Sequence, residues 1–493
     1  MCKIKLFFKS SLLQKLFKSI MLISHIQNHL EQHLRHTPTP SQSLLIKQLA
    51  SFLVNYQQNQ IFILNGYAGT GKTTMIRALI ETLRLFKLNT VLVAPTGRAA
   101  KVITHYTGQS AYTIHKKIYR QKSAKDGFGS FELNKNLHAN TLFIVDEASM
   151  IANYSADGSN FGSGKLLDDL VEYVFNNKHC RLMLIGDEAQ LPPVGLELSP
   201  ALNNKQMDVY GLDISNGSLT DVVRQAEDSG ILHNATTLRE QIESGIFDIP
   251  YFETEGFSDI IRLPGEELIE SINDSYDSVG IEQTMIVCRS NKRANLYNNG
   301  IRNQILWREE ELSAGDILMV VKNNYFWLEE NDNENVNFIA NGDTIEVLKV
   351  RKYEERYGFR FADLVVRMID YEDIELDLKI VMDTLSTEAA SLSADQNKQL
   401  FYSVLEDYQE ISGKSKQFKK VKEDPFFNAL QVKFGYAVTC HKAQGGQWDH
   451  VYLDQGYLPD DQLSREYLRW LYTGFTRATK KLYLVNFKQN FFE

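Results

Sequence analysis

The sequence predicts an α/β protein of two parallel-sheet lobes with small β-rich insertions, and three observations lead there. The chain has 493 residues, too many for one hydrophobic core. Between Gln60 and Gln190 short apolar runs alternate with helical patterns, as strand–helix–strand units around a parallel sheet require. After Gln225 a second set of apolar runs follows, interrupted by a long stretch of alternating apolar and polar residues.

In chain order, residues 1–36 read as a flexible N-terminal extension. Its first twenty residues are basic and amphipathic, with lysines breaking every apolar run. No stretch there is long enough to span a membrane, and no small-residue cleavage site follows an apolar core. Met21 offers a second possible start. Residues 37–225 form the first lobe, with strands at Ile61–Asn65, Thr90–Ala94, Thr141–Asp146 and Arg181–Gly186 and a helix at Thr73–Phe86. Each strand is short, apolar and ends in polar or glycine residues, as buried parallel strands do. Residues 119–140 carry Gly127, Gly129 and several charges, and are expected to be an inserted hairpin. Asn153–Gly164, rich in Ser, Asn and Gly, is expected to be a loop.

Residues 226–493 form the second lobe, with strands at Thr284–Cys288, Ala437–Cys440, Val451–Leu453 and Leu482–Val485. Within it, residues 312–427 read as an inserted β-barrel, because Asp343–Val350 and Arg360–Met368 alternate with the period of a strand. Ser386–Tyr408 reads as helical, Lys414–Lys422 as a solvated loop, and Tyr325, Phe326 and Trp327 as barrel core. The net charge of −9 argues against a uniformly basic coat but allows a local basic groove. Four scattered cysteines without a CxxC pair argue against zinc and disulfides, and fit a reducing cytoplasm.

The chemistry starts at Gly66-Tyr67-Ala68-Gly69-Thr70-Gly71-Lys72-Thr73, followed by Thr74. This is the phosphate loop G-x-x-x-x-G-K-[ST], set between a strand and a helix. Glycines let backbone N–H groups close around phosphate oxygens, and the helix adds its positive end. Lys72 is expected on the terminal phosphates and Thr73 on Mg²⁺. Phe143-Ile144-Val145-Asp146-Glu147 delivers two carboxylates to a strand end. Asp146 is expected to hold Mg²⁺ through water, and Glu147 to orient or deprotonate the attacking water. In Gly186-Asp187-Glu188-Ala189-Gln190-Leu191-Pro192-Pro193, Gln190 is placed to sense the γ-phosphate.

With those residues in view, the chain resembles the superfamily 1 helicases of the RecD/Dda-like group. Val93–Ala100, Ala111–His115, Tyr436–Gly446 and Leu471–Ala478 resemble further motifs of that group, in its order, from about Gln42 to the C-terminus. The resemblance implies two RecA-like lobes, ATP and Mg²⁺ as cofactors, and translocation on single-stranded DNA from 5′ to 3′. It implies that Gln42 reads adenine, that Gly445 belongs to the nucleotide site, and that Arg224 and Arg477 reach the γ-phosphate across the cleft. It implies DNA contacts from Pro95, Thr96, Thr113 and His115 in the first lobe. Thr439, His441 and Lys442 are their counterparts in the second. The sequence departs from the family at Gly446-Gln447, where a Ser-Glu pair or similar is usual, and at Cys440. The expected function is an ATP-dependent DNA helicase of replication, repair or recombination, acting as a monomer on single-stranded and forked DNA, with no membrane. An RNA-remodelling ATPase and a motor subunit of a recombination complex stand as alternatives.

Overall fold

A computed structural model describes residues 19–55, 57, 59–121, 131–154, 162–223, 228–328, 339–369, 374–457 and 463–493. The first lobe holds β1 (Gln60–Gly66), β2 (Asn89–Ala94), β3 (Ala111–Thr113), β4 (Tyr119–Gln121), β5 (Phe131–Leu133), β6 (Thr141–Val145), β7 (Arg181–Gly186) and β8 (Asp213–Leu219). Six of them form a parallel sheet in the order β3-β2-β6-β7-β1-β8. Side chains alternate across it. On β1, Phe62 and Leu64 enter one apolar cluster while Ile61 and Ile63 enter the other. Burial on both faces is why these strands read as continuous apolar runs. β4 and β5 pair as a separate antiparallel ribbon. Most of the expected hairpin tip and of the loop at Asn153–Gly164 lies outside the described residues.

The second lobe holds β9 (Ile260–Leu263), β10 (Thr284–Cys288), β11 (Ile317–Val320), β12 (Thr344–Arg356), β13 (Phe359–Met368), β14 (Glu375–Val381), β15 (Leu430–Phe434), β16 (Ala437–Thr439), β17 (Trp448–Asp454) and β18 (Ala478–Val485). Its parallel sheet runs β16-β10-β17-β18-β9, and β11 to β15 close a barrel. The barrel outruns the expected insertion of 312–427, because its closing strand β15 pairs with both β14 and β11.

Three expectations are corrected. The N-terminal segment is not a loose extension over residues 19–34. It is a helix whose Ile26, Leu30 and Leu34, spaced one turn apart, are buried in the first lobe's core. The lysine-rich run Lys414–Lys422 is a helix rather than a loop. Val421 is buried, Phe418 packs on Phe401 at 5.7 Å, and the lysines stand on the other side. Tyr325, Phe326 and Trp327 lie at the rim of the core rather than within it: all three are half-buried, Trp327 packs against the barrel's apolar cluster while its Nε1 donates to the Asn428 carbonyl at 2.8 Å, and Tyr325 meets Phe131 of the β4–β5 ribbon at 4.8 Å. Among the described residues, no helix is long and apolar enough to cross a membrane.

Candidate nucleotide and nucleic-acid site

The phosphate loop leaves the carboxyl end of β1, where ligands of parallel sheets gather. Gly69 (φ 71°) and Gly71 (φ 87°) take left-handed backbone that favours glycine. A Cβ on Gly71 would also stand 2.7 Å from Gln42 Nε2. Helix Lys72–Leu85 follows at once, aiming its positive end at the loop. Thr73 is exposed and Thr74 half-buried in its first turn. Lys72 Nζ donates to the Gly66 carbonyl and lies 3.4 Å from Asp187 Oδ2. Gln42 is fully buried. Its Oε1 accepts the Thr39 N–H at 3.1 Å, its Nε2 donates to the Thr70 carbonyl at 3.1 Å, and His36 Nε2 lies 3.2 Å away. The Gln42 amide therefore braces the loop from beneath.

Asp146 and Glu147 stand where β6 ends. Asp146 Oδ1 accepts the Glu147 N–H at 2.9 Å, and Oδ2 accepts the Tyr106 hydroxyl at 2.8 Å. Burial pushes both carboxyls above the usual range, and the Asp146 charge raises Glu147 further. Lys72 opposes the rise at both, and Arg477 opposes it at Glu147. Two adjacent carboxyls at the end of a strand are hard oxygen donors of the kind that suits a divalent cation. Glu147 has φ 53°, a left-handed conformation costing on the order of 1–3 kcal/mol, and such strain concentrates at functional sites.

The second lobe closes over this site. Asp187 is buried and accepts the Tyr472 hydroxyl at 2.8 Å, while the same hydroxyl accepts the Ala68 N–H at 2.8 Å. Leu191 is held on both backbone groups. Its N–H donates to Thr473 Oγ1 at 2.9 Å, and its carbonyl accepts Gln444 Nε2 at 2.7 Å. Its side chain sits in the second lobe's apolar cluster. Gln190 is buried beside it, and its Oε1 has no hydrogen-bond partner among the described residues. Arg477 is buried, with its guanidinium bonded to the Thr473 carbonyl (3.0 Å), the Gly446 carbonyl (3.1 Å) and Thr476 Oγ1 (3.0 Å). Its charge acts on Glu147 of the other lobe. Gly445 (φ 72°) also faces the first lobe, where a Cβ would meet Ala99 at 3.0 Å and Thr96 Oγ1 at 3.4 Å. Arg98 stacks over Trp448 at 4.1 Å across the same seam. Arg224 lies outside the described residues.

The comparisons with known proteins fall on the same two lobes. Residues 39–248 match the family described as AAA domain, and residues 434–485 match the UvrD-like helicase C-terminal domain. With these two matches in this order, the chain is similar to the helicases of superfamily 1, and its relatives include members of the RecD/Dda-like group. It is 25% identical to the ATP-dependent RecD2 DNA helicase of Deinococcus radiodurans over 90% of this chain and 50% of that protein. It is 24% identical to the ATP-dependent DNA helicase dda of Enterobacteria phage T4, over 86% of this chain and 93% of that protein. It is 25% identical to the uncharacterized protein R530 of Acanthamoeba polyphaga mimivirus, over 90% of this chain and 98% of that protein. The chain thus spans nearly all of two relatives but half of RecD2. A Pif1 helicase from Bacteroides, solved with ADP-AlF3 and ssDNA, is 14% identical with a TM-score of 0.45, covering 90% of this chain and 93% of that one.

Along the expected strand path of this helicase, Pro95 and Thr96 follow β2, and Thr113 ends β3. Thr96 Oγ1 accepts the Ala99 N–H at 3.2 Å, and Thr113 Oγ1 accepts the Lys116 N–H at 3.2 Å. Both hydroxyls are helix caps, and each keeps its own O–H to donate. Burial lowers the His115 imidazole to about 4, so the ring is neutral at pH 7. His441 is lowered by burial too. Thr439 and His441 flank buried Cys440. Lys442 Nζ donates to Asn341 Oδ1 of the barrel at 2.7 Å, and burial with the nearby Lys433 charge lowers it to about 8. Burial lowers Lys433, on β15, to about 8 as well, and its Nζ donates to the Thr384 carbonyl at 3.1 Å and the Thr387 carbonyl at 2.5 Å. Sequence reasoning missed the cross-lobe contacts of Tyr472, Thr473 and Gln444. Tyr472 and Thr473 stood inside a recognised motif, but nothing local marked which hydroxyl crosses the cleft.

Proposed function

We propose that this protein is an ATP-driven DNA helicase that moves along single-stranded DNA from 5′ to 3′ and opens duplex ahead of it. The observation that carries the reading is the shared cleft: Lys72, Asp146 and Glu147 come from one lobe, and the segment that carries Arg477 is bonded to that lobe through Tyr472 at Ala68 and Thr473 at Leu191. The loop N–H groups and Lys72 bind the phosphates, with Gln42 and Gly445 alongside. Thr73 and Asp146 would hold Mg²⁺, which supplies charge neutralisation to the departing phosphoryl group. Glu147, its carboxyl raised by burial, takes the proton of the attacking water. Gln190, Arg224 and Arg477 answer the terminal phosphate. Leu191, next to Gln190, is gripped by Thr473 and Gln444, so a shift at Gln190 moves the second lobe directly.

Pro95, Thr96, Thr113, His115, Thr439, His441 and Lys442 offer hydroxyls, amides and one cation, which suits a phosphate backbone rather than bases. The β4–β5 ribbon, braced by Tyr325 on Phe131, is the element that parts the strands. The buried thiols Cys180, Cys288 and Cys440 suit a reducing cytoplasm. Unwinding of 5′-tailed and 3′-tailed duplexes with ATP tests the reading. Opening of the 5′-tailed substrate alone is expected; opening of neither, or of RNA in preference to DNA, refutes it.

A further inference from the structure

Tyr472 sits in the helix Arg465–Phe475 of the second lobe and is 1% exposed. Its hydroxyl reaches into the first lobe, between Ala68 and Asp187. Chemistry fixes the direction of both bonds. A backbone N–H only donates and a carboxylate only accepts, so the hydroxyl accepts from Ala68 and donates to Asp187. Asp187 in turn faces Lys72 at 3.4 Å. Burial and the Asp187 charge raise the phenol well above its ordinary value, so the donated proton stays on the oxygen. The Ala68 N–H belongs to the very loop whose N–H groups cradle phosphate.

We propose that Tyr472 is a positioning residue that couples the second lobe to the phosphate loop by competing with nucleotide for the Ala68 N–H. The inference rests on the ATPase reading above. A phosphate oxygen bound at that N–H displaces the hydroxyl, which then keeps only Asp187. Nucleotide binding therefore loosens one cross-lobe bond, and lobe closure opposes nucleotide entry at this atom. The anionic oxygen wins because hydrogen bonds to charged acceptors are about twice as strong as neutral ones. The residue lies five positions before Arg477 on the same segment, so displacing Tyr472 and engaging Arg477 are moves of one element.

The test is Tyr472→Phe, which keeps the ring in the apolar cluster and removes only the hydroxyl. Fluorescent ADP binding is measured by anisotropy, without turnover. Removing the competitor is expected to tighten ADP about five-fold, the worth of one ordinary hydrogen bond. Stimulation of ATP turnover by single-stranded DNA is expected to fall at the same time. General damage to the loop would weaken ADP instead, so the sign separates the two explanations. Unchanged or weaker ADP binding overturns the proposal. If the Phe variant does not fold, Tyr472→Met fills the space flexibly and is read the same way. A wild-type protein that binds no nucleotide would fail the ATPase reading itself, a distinct outcome.

Discussion

Replacing Thr473 with Val tests how the two lobes communicate. Val has nearly the shape of Thr, and Thr473 is fully buried, so packing is preserved. What disappears is the acceptor for the Leu191 N–H, 2.9 Å away in the other lobe. A buried donor left without a partner costs about 1–3 kcal/mol. The contact joins the two lobes at the point where Leu191 enters the second lobe's apolar cluster, so the cost falls on closing the cleft. A loss of about 1–2 kcal/mol shifts the closed-to-open ratio by a factor of about 5–30. The ratio is read by single-molecule energy transfer between dyes on cysteines placed at Leu85 and Tyr457, which are 58% and 85% exposed. Cys180, Cys288 and Cys440 are buried and will not compete for label once Cys2 is replaced. A variant whose closed fraction and DNA-stimulated turnover match the wild type would refute the Leu191 grip as the link between lobes.

Two further outcomes follow from the same geometry. Burial and the Lys433 charge lower Lys442 to about 8, and a bound phosphate would raise it, so binding takes up protons above that pH. Affinity for single-stranded DNA is expected to fall as pH rises from 7 to 9, and Lys442→Ala should lower the salt slope by about 0.7, read by fluorescence titration; an unchanged slope removes Lys442 from the strand path. Leu30→Ala should destabilise the first lobe by about 2–5 kcal/mol in urea unfolding, because Leu30 is fully buried; an unaffected midpoint would mean that the N-terminal helix does not belong to the core.

The phosphate loop and the Asp146–Glu147 pair were legible because their chemistry sits on consecutive residues. Arg360–Met368 betrayed the barrel through its period of two, and Ala362, Leu364, Val366 and Met368 are buried in its core. The cross-lobe contacts were not legible. Tyr472 meets Ala68 across 404 positions and Gln444 meets Leu191 across 253, and no periodicity announces a single hydroxyl or amide at that range. The N-terminal helix was not legible because its apolar stripe is only Ile26, Leu30 and Leu34, one residue per turn among polar neighbours. In the Lys414–Lys422 run, five lysines hid an apolar side made of only Phe418 and Val421. Gln42 shows the opposite limit: its place beside the loop matches its motif, while its amide bonds to Thr39 and Thr70 emerge only in three dimensions.

The most direct measurement is single-turnover ATP hydrolysis by Arg477→Ala at saturating single-stranded DNA, with nucleotide affinity determined alongside. Hydrolysis should fall by about 10³–10⁵, as it does when other phosphoryl-transfer enzymes lose such an arginine, while nucleotide still binds. Hydrolysis at the wild-type rate would contradict the claim that both lobes act on one phosphate.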